Sequence, residues 1–229
     1  RAQRFEKIAD LDAAGCTVEE REEYEPHLAA GNVVFAGVDY ALIAAQAAAG
    51  ADVIVWDGGN NDFPFLRPDL HLVVVDALRP DDARGYHPGE AVLKTADLVV
   101  VNKVDAATPD QVARAVDTAR AVNPRAPIVQ ASSPVRLDDS AAVRSRRVVV
   151  VEDGPTITHG SMPHGAGFVA ATAAGAIIVD PRPAAAPLLR DVFVQYPHIG
   201  PVVPAVGYSA AQLEALRLTL ARANADVVI

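Results

Sequence analysis

Asn102-Lys103-Val104-Asp105 carries the sharpest chemical meaning in this sequence. It follows directly on the apolar run Leu98–Val101, which reads as a buried strand. An Asn-Lys-x-Asp turn at a strand end can read a guanine base. The aspartate carboxylate accepts from the ring N–H and the exocyclic amine, the asparagine amide orients the loop, and the lysine stem lies along the ring. Adenine lacks that donor pair and would leave the carboxylate unpaired. The plainer reading is an ordinary turn with a capping aspartate.

Other strand ends carry chemistry-bearing residues too. Val53–Trp56 leads into Asp57-Gly58-Gly59-Asn60-Asn61-Asp62. An aspartate ending a buried strand can order the Mg²⁺ shell of a nucleotide, and Gly58 and Gly59 let the backbone approach a γ-phosphate and donate N–H groups to it. A tight turn capped by Asx side chains is the alternative. Gln130-Ala131-Ser132-Ser133-Pro134 offers a small polar loop whose backbone N–H groups could back a guanine. Within Asp76–Glu90, Arg79, Arg84 and His87 could clamp phosphates or a carboxylate substrate, or belong to a solvated loop with internal salt bridges. Glu152-Asp153 followed by Thr156, Thr158 and His159 could serve metal binding or proton transfer, or form a turn. Asp180-Pro181-Arg182-Pro183 reads as a rigid turn presenting one arginine, and the acidic stretch from Cys16 to His27 as a solvated helix or a lid.

The elements that must position these residues alternate. Val33–Ala36, Asp52–Trp56, Leu70–Asp76, Leu98–Val101, Pro127–Gln130 and Val148–Val151 are near-continuous apolar runs, as in parallel strands covered on both faces. Thr108-Pro109-Asp110-Gln111 opens a helix with a hydroxyl N-cap, proline at the first position and an amide three residues on. Val112, Ala115, Val116, Ala119 and Val122 continue it at helical spacing, and Asn123-Pro124 ends it. Later come a small-residue helix over His164–Gly175, a strand over Ala176–Val179, a helix over Ala184–Tyr196, and a Leu-rich helix through Ala223 opened by the capping box Ser209-Ala210-Ala211-Gln212. The alternation predicts an α/β fold with a doubly wound, mostly parallel sheet of P-loop NTPase type, continuing into a smaller C-terminal α/β part. The domains expected are a nucleotide-binding core over 1–153 and a C-terminal region over 154–229. Ligands on such sheets bind at the carboxyl ends of the strands.

Composition narrows the classes. The chain has 229 residues and a formal net charge of −9, which argues against general nucleic-acid binding. No apolar run approaches the roughly 20 residues of a membrane helix, and no signal-peptide pattern occurs. The single cysteine, Cys16, precludes an internal disulfide and suits a reducing, cytoplasmic setting. The sequence opens at Arg1 inside what reads as an amphipathic helix and stops in Asp226-Val227-Val228-Ile229, which reads as a strand just beginning. The expectation is a piece of a longer chain.

No Gly-x-x-x-x-Gly-Lys-Ser/Thr run occurs in the sequence, although a complete P-loop protein needs one for its phosphate cradle. The expectation is therefore that the chain does not hydrolyse or transfer phosphate alone. A Rossmann-type oxidoreductase is disfavoured because no Gly-x-Gly-x-x-Gly follows a strand.

Several runs together resemble a known family. They are Glu19-Glu20-Arg21-Glu22-Glu23-Tyr24-Glu25-Pro26-His27, Gly37-Val38-Asp39-Tyr40, Trp56-Asp57-Gly58-Gly59-Asn60-Asn61-Asp62-Phe63-Pro64-Phe65, Asn102-Lys103-Val104-Asp105, Val151-Glu152-Asp153-Gly154-Pro155-Thr156 and Tyr196-Pro197-His198-Ile199-Gly200-Pro201. The sequence is similar along essentially its whole length to the cyclic 2,3-diphosphoglycerate synthetases, also described as predicted GTPases. The resemblance implies a P-loop preceding the region of Arg1 and further chain after Ile229. It also implies an ATP-dependent ligase activity with Mg²⁺, closing 2,3-diphosphoglycerate into a cyclic phosphoanhydride, whereas the Asn102-Lys103-x-Asp105 turn favours guanine.

The resulting expectation is a phosphoryl-transfer protein that binds GTP or ATP with Mg²⁺ and a small phosphorylated metabolite, neither nucleic acid nor membrane, with self-association left open. Asp57 would order the metal's waters. Asn102, Lys103, Asp105, Ser132, Gly58 and Gly59 would hold the nucleotide, and Arg79, Arg84, His87 and His159 would face the acyl-phosphate or substrate. The alternative is a non-catalytic, GTP-dependent interaction switch whose moving element is the acidic 19–25 segment.

Overall fold

The computed structural model describes residues 2–59, 63–158, 162–207 and 209–229, so His159 lies outside the described residues. Backbone contacts divide the chain into two units, residues 1–131 and 132–229.

In the first unit, β1 (Ala2–Phe5) is followed by α1 (Ile8–Ala14), α2 (Val18–Ala29), β2 (Val34–Gly37) and α3 (Tyr40–Ala48). After an irregular stretch come β3 (Leu72–Asp76), α4 (Asp82–Gly85), α5 (Gly89–Lys94), β4 (Leu98–Asn102), α6 (Pro109–Val122) and β5 (Ile128–Gln130). β1 pairs antiparallel with β2, and β3-β4-β5 form a parallel sheet in that order. The start of the chain is thus a strand, not the amphipathic helix its residues suggest. Phe5 is buried at its end, and helix begins only at Ile8. The acidic stretch forms α2, capped by Thr17 and Glu20 in a reciprocal box.

The core of the first unit is one-sided. Val75, Ala77, Val99 and Val101 pack with Leu93 of α5 and Ala115, Val116 and Ala119 of α6. Alternate strand residues point the other way, and there Leu72 and Val74 are 47% and 59% exposed. The apolar runs predicted cover on both faces, but within this unit helices pack on one. The expected strand at Asp52–Trp56 does not form either. Residues 53–59 have no regular structure, and Val53 and Val55 are 77% and 86% exposed. β-branched residues favour extended backbone, but a strand also needs a neighbour for its N–H and C=O groups, and β3 does not pair with this segment.

The second unit contains β6 (Arg147–Val149), β7 (Val151–Asp153), α7 (Gly154–Thr158), α8 (Ala166–Ala173), β8 (Ile177–Ile178), a 3₁₀ turn at Arg182–Ala184, α9 (Pro187–Gln195), β9 (Val203–Ala205), α10 (Ala210–Arg222) and β10 (Val227–Val228). The orders β10-β6-β8 and β7-β9 are parallel throughout. Among the described residues, then, the fold is α/β with mostly parallel sheets. The predicted caps are realised: Thr108 accepts from the Gln111 N–H, and Ser209 from the Gln212 N–H. No helix of the described residues is long and apolar enough to cross a membrane.

Candidate functional site

Parallel register brings the tips of β3 and β4 side by side, with Asp76 opposite Asn102. The centre of the site is Asp76, which the sequence places at the end of an apolar run and the start of a loop but not among the candidate site residues. Its Oδ1 accepts from the Leu78 N–H at 2.9 Å. Its Oδ2 accepts from Lys103 Nζ at 2.9 Å and from Arg79 Nη2 at 3.1 Å and Nε at 3.3 Å. The side chain is only 17% exposed. Burial pushes its acidity towards the neutral form, but the Lys103 ammonium, the Leu78 N–H and the Arg79 guanidinium outweigh burial and hold the carboxyl below its usual range.

This ion knot shapes the Asn102–Asp105 turn after β4. Lys103 sits in the left-handed region with φ 63°, which a non-glycine residue adopts at a cost. Two bonds to its carbonyl, from the Ala106 and Ala107 N–H groups (both 3.1 Å), close the turn. The Val104 N–H donates to the Ala131 carbonyl at 3.2 Å, tying the turn to the end of β5. Gln111, expected as a capping residue alone, also donates from Nε2 to the Leu78 carbonyl at 3.2 Å. The helix after the turn is thereby anchored to the loop after β3. Asp105 lies exposed within this braced turn.

Lys103, Arg79 and Asp76 are therefore one cluster, with Asn102 opposite Asp76 in the sheet register. Arg79 also lies 3.6 Å from Asp82, so its charge is committed to two carboxylates. Arg84 is exposed and faces Glu90 at 3.8 Å, and His87 is exposed in the turn before α5. Neither joins the Asp76 knot. Asp57 and Gly58 are exposed in the irregular stretch, where the Trp56 ring packs over Gly58 and against Phe65, and Phe65 in turn stacks on Tyr40 at 4.4 Å. Ser132 is exposed and begins the second unit. The signal that could have found Asp76 is its charge: an acid ending an apolar strand, three residues before an arginine.

Among the described residues no group of three or more His, Cys, Asp and Glu could hold a metal ion. An exposed carboxylate such as Asp57 has the chemistry for a Mg²⁺ ion carried by nucleotide phosphates, which needs one or two protein carboxylates.

The knot makes acid stability a readout of this site. Its carboxyl is held low in the folded state, so its contribution is complete above the ordinary carboxylate range and is lost as pH falls through the lowered value. Asp76→Asn is expected to cost about 1–3 kcal/mol at neutral pH and to shrink the difference from wild type as pH drops. Urea unfolding of both proteins from neutral to acid pH measures this. Curves that stay parallel would remove Asp76 from the role.

Comparison with known proteins adds three facts. Residues 7–130 match the family described as CobW/HypB/UreG, nucleotide-binding domain. The chain is 49% identical over 228 residues to a protein of Thermococcus kodakarensis named arginine synthetase ArcE. That alignment covers 99% of this chain and 51% of the relative, so the chain spans about half the length of the curated relative it matches.

Proposed function

The chain belongs to the CobW/HypB/UreG nucleotide-binding family, and on that premise we propose that the turn after β4 is the base-reading end of a guanine-nucleotide site that drives a synthetase reaction. The single observation that carries the reading is the Asp76–Lys103 pair at 2.9 Å. It holds Lys103 in a left-handed conformation and so sets the turn on which Asp105 stands. In this reading the Asp105 carboxylate accepts from the guanine ring N–H and amine, the Asn102 amide keeps the turn aligned, and the Lys103 stem covers the ring.

Asp57 would order the water shell of a Mg²⁺ ion brought by the nucleotide, with Gly58 and Gly59 donating backbone N–H groups to the terminal phosphate. Bound there, the ion would neutralise charge on the transferring phosphoryl group. Arg84 and His87 are the exposed groups left to face the second substrate. Arg79 is a positioning residue, since both its neighbours are carboxylates of its own loop.

The synthetase class rests on two likenesses: to the Thermococcus protein named arginine synthetase, and to the cyclic 2,3-diphosphoglycerate synthetases. Their shared chemistry is nucleotide-driven bond formation. A phosphoryl group moved onto a substrate oxygen turns that oxygen into a leaving group, which a neighbouring nucleophile then displaces. Arginine or a cyclic phosphoanhydride would be the product, according to the nucleophile.

The sequence contains no Gly-x-x-x-x-Gly-Lys-Ser/Thr cradle. The purified chain is accordingly expected to release no phosphate from GTP above an Asp57→Ala control. In the natural-length protein, GTP cleavage should require the acceptor substrate. Turnover by the 229-residue chain that Asp57→Ala abolishes would refute the need for an external cradle, and equal use of GTP and ATP at natural length would refute the base assignment.

A further inference from the structure

Residues 132–229 have a charge pattern of their own. They contain arginine but no lysine, and their acids and arginines balance, so the whole net charge of −9 falls on residues 1–131. Within this balanced half, three arginines line one open cleft of about 360 Å³. Arg147 opens β6, Arg190 lies on α9 and Arg222 ends α10.

Two of the three are held by backbone. Arg147 Nε donates to the Asn224 carbonyl at 2.8 Å, and Arg190 Nε donates to the Ala185 carbonyl at 2.8 Å. Asn224 is left-handed (φ 48°) just past the end of α10. A guanidinium anchored through Nε keeps both Nη groups for a further acceptor, with the plane of the fork set in advance. Asp180 is the carboxylate lining the cleft, and both its oxygens already accept from Arg182 Nη1, at 3.0 and 2.9 Å. Asp226 is taken by the Arg147 backbone N–H at 3.0 Å and by Arg146 at 3.7 Å. Among the described residues, Arg147, Arg190 and Arg222 have no ion-pair partner.

We propose that this cleft binds a small anionic metabolite through a phosphate-type group. Three like charges beside a carboxylate already bound to Arg182 repel one another, and an anion converts that repulsion into attraction. A phosphoryl group presents three oxygens, one for each guanidinium, whereas a carboxylate presents two. The forks suit bidentate oxyanion recognition better than ammonium groups would, and the volume suits a small metabolite, at the lower end of ligand-pocket sizes. The proposal goes beyond the synthetase reading, in which Arg84 and His87 face the second substrate, and uses none of that site's residues. It lies within the second unit, and its test uses no nucleotide, so either reading can fail alone.

The test is titration calorimetry of the purified chain with inorganic pyrophosphate, with citrate as the polycarboxylate arm. The Arg222 side chain has no hydrogen-bond partner among the described residues, so Arg222→Gln leaves the fold intact and should weaken pyrophosphate binding about tenfold. Arg222→Gln combined with Arg190→Gln should weaken it about a hundredfold. Arg217→Gln, on the same helix but paired with Glu214, should bind as wild type does, and so should Asp105→Ala. Pyrophosphate binding undetectable in the wild type, or unchanged in the double variant, overturns the site. Citrate binding as tightly as pyrophosphate overturns the phosphate assignment. Loss of binding in Asp105→Ala overturns the separation of the two sites.

Discussion

Asp105→Asn is expected to exchange the base that the protein binds, with guanine nucleotides losing roughly two orders of magnitude in affinity and xanthine nucleotides gaining a comparable factor. Guanine offers two donors along this edge, the ring N–H and the exocyclic amine, and a carboxylate meets both with acceptors. An asparagine amide has one acceptor and one donor group. Xanthine keeps the ring N–H but replaces the amine with a carbonyl, so it pairs with the amide and opposes the carboxylate. Asp105→Ala should weaken both bases without inverting the preference. Competition binding of GDP, XDP and ADP to the natural-length protein reads the effect. Inversion depends on a turn held in place, and the structure holds it through the Val104 bond to Ala131, the Lys103 carbonyl bonds and the Asp76 knot. Should Asp105→Asn leave the GDP-to-XDP ratio unchanged, the turn is structural and reads no base.

Asn123→Asp is expected to be among the most damaging isosteric changes in the first unit, at about 3–5 kcal/mol at neutral pH. Asn123 caps the end of α6 and is only 7% exposed. Its Nδ2 donates to the carbonyls of Ala96 at 2.9 Å, Leu93 at 3.1 Å and Lys94 at 3.4 Å. Its Oδ1 accepts from the Ala126 N–H at 3.1 Å and the Arg125 N–H at 3.2 Å. One side chain thus satisfies five backbone groups from the end of α5, the connection from α5 to β4 and the turn into β5. A carboxylate keeps the two acceptor bonds but turns an oxygen towards three carbonyls. Only its protonated form can donate to them, so its folded-state acidity is weakened. The variant therefore comes closest to wild type below the ordinary carboxylate range and falls behind as pH rises through the raised value. Urea unfolding followed by circular dichroism, taken as a difference from wild type at each pH, measures this. A pH-independent difference would show that the Nδ2 bonds are dispensable.

The helices were the most legible part of the fold. Thr108 with Gln111 and Ser209 with Gln212 cap their helices within four residues of chain, a range at which residue identity alone sets the hydrogen bonds. Asn123 was readable as a helix end, but its grip on carbonyls 27 to 30 residues earlier was not. Likewise Lys103 was readable as part of a turn at a strand end, while its partner lies 27 residues before it, at the tip of the neighbouring strand. The run Val53–Trp56 misled for the converse reason. Its residues favour extended backbone, yet whether an extended run becomes a strand is settled by a neighbour that supplies donors and acceptors.

From sequence alone come the α/β alternation, strands over Leu70–Asp76 and Leu98–Val101, which form over Leu72–Asp76 and Leu98–Asn102, the capped helices and the Asn102–Asp105 turn proposed to read guanine. Those features depend on side-chain periodicity and on bonds spanning a few residues, which any stretch of chain carries with it. The tertiary structure alone decided that Asp76 is the hub of the turn and that the chain opens in a strand antiparallel to Val34–Gly37. It also decided that three arginines from β6, α9 and α10 share a cleft. Each of these joins groups far apart in sequence, and such groups meet only when packing has chosen which strand tips and helix ends are neighbours.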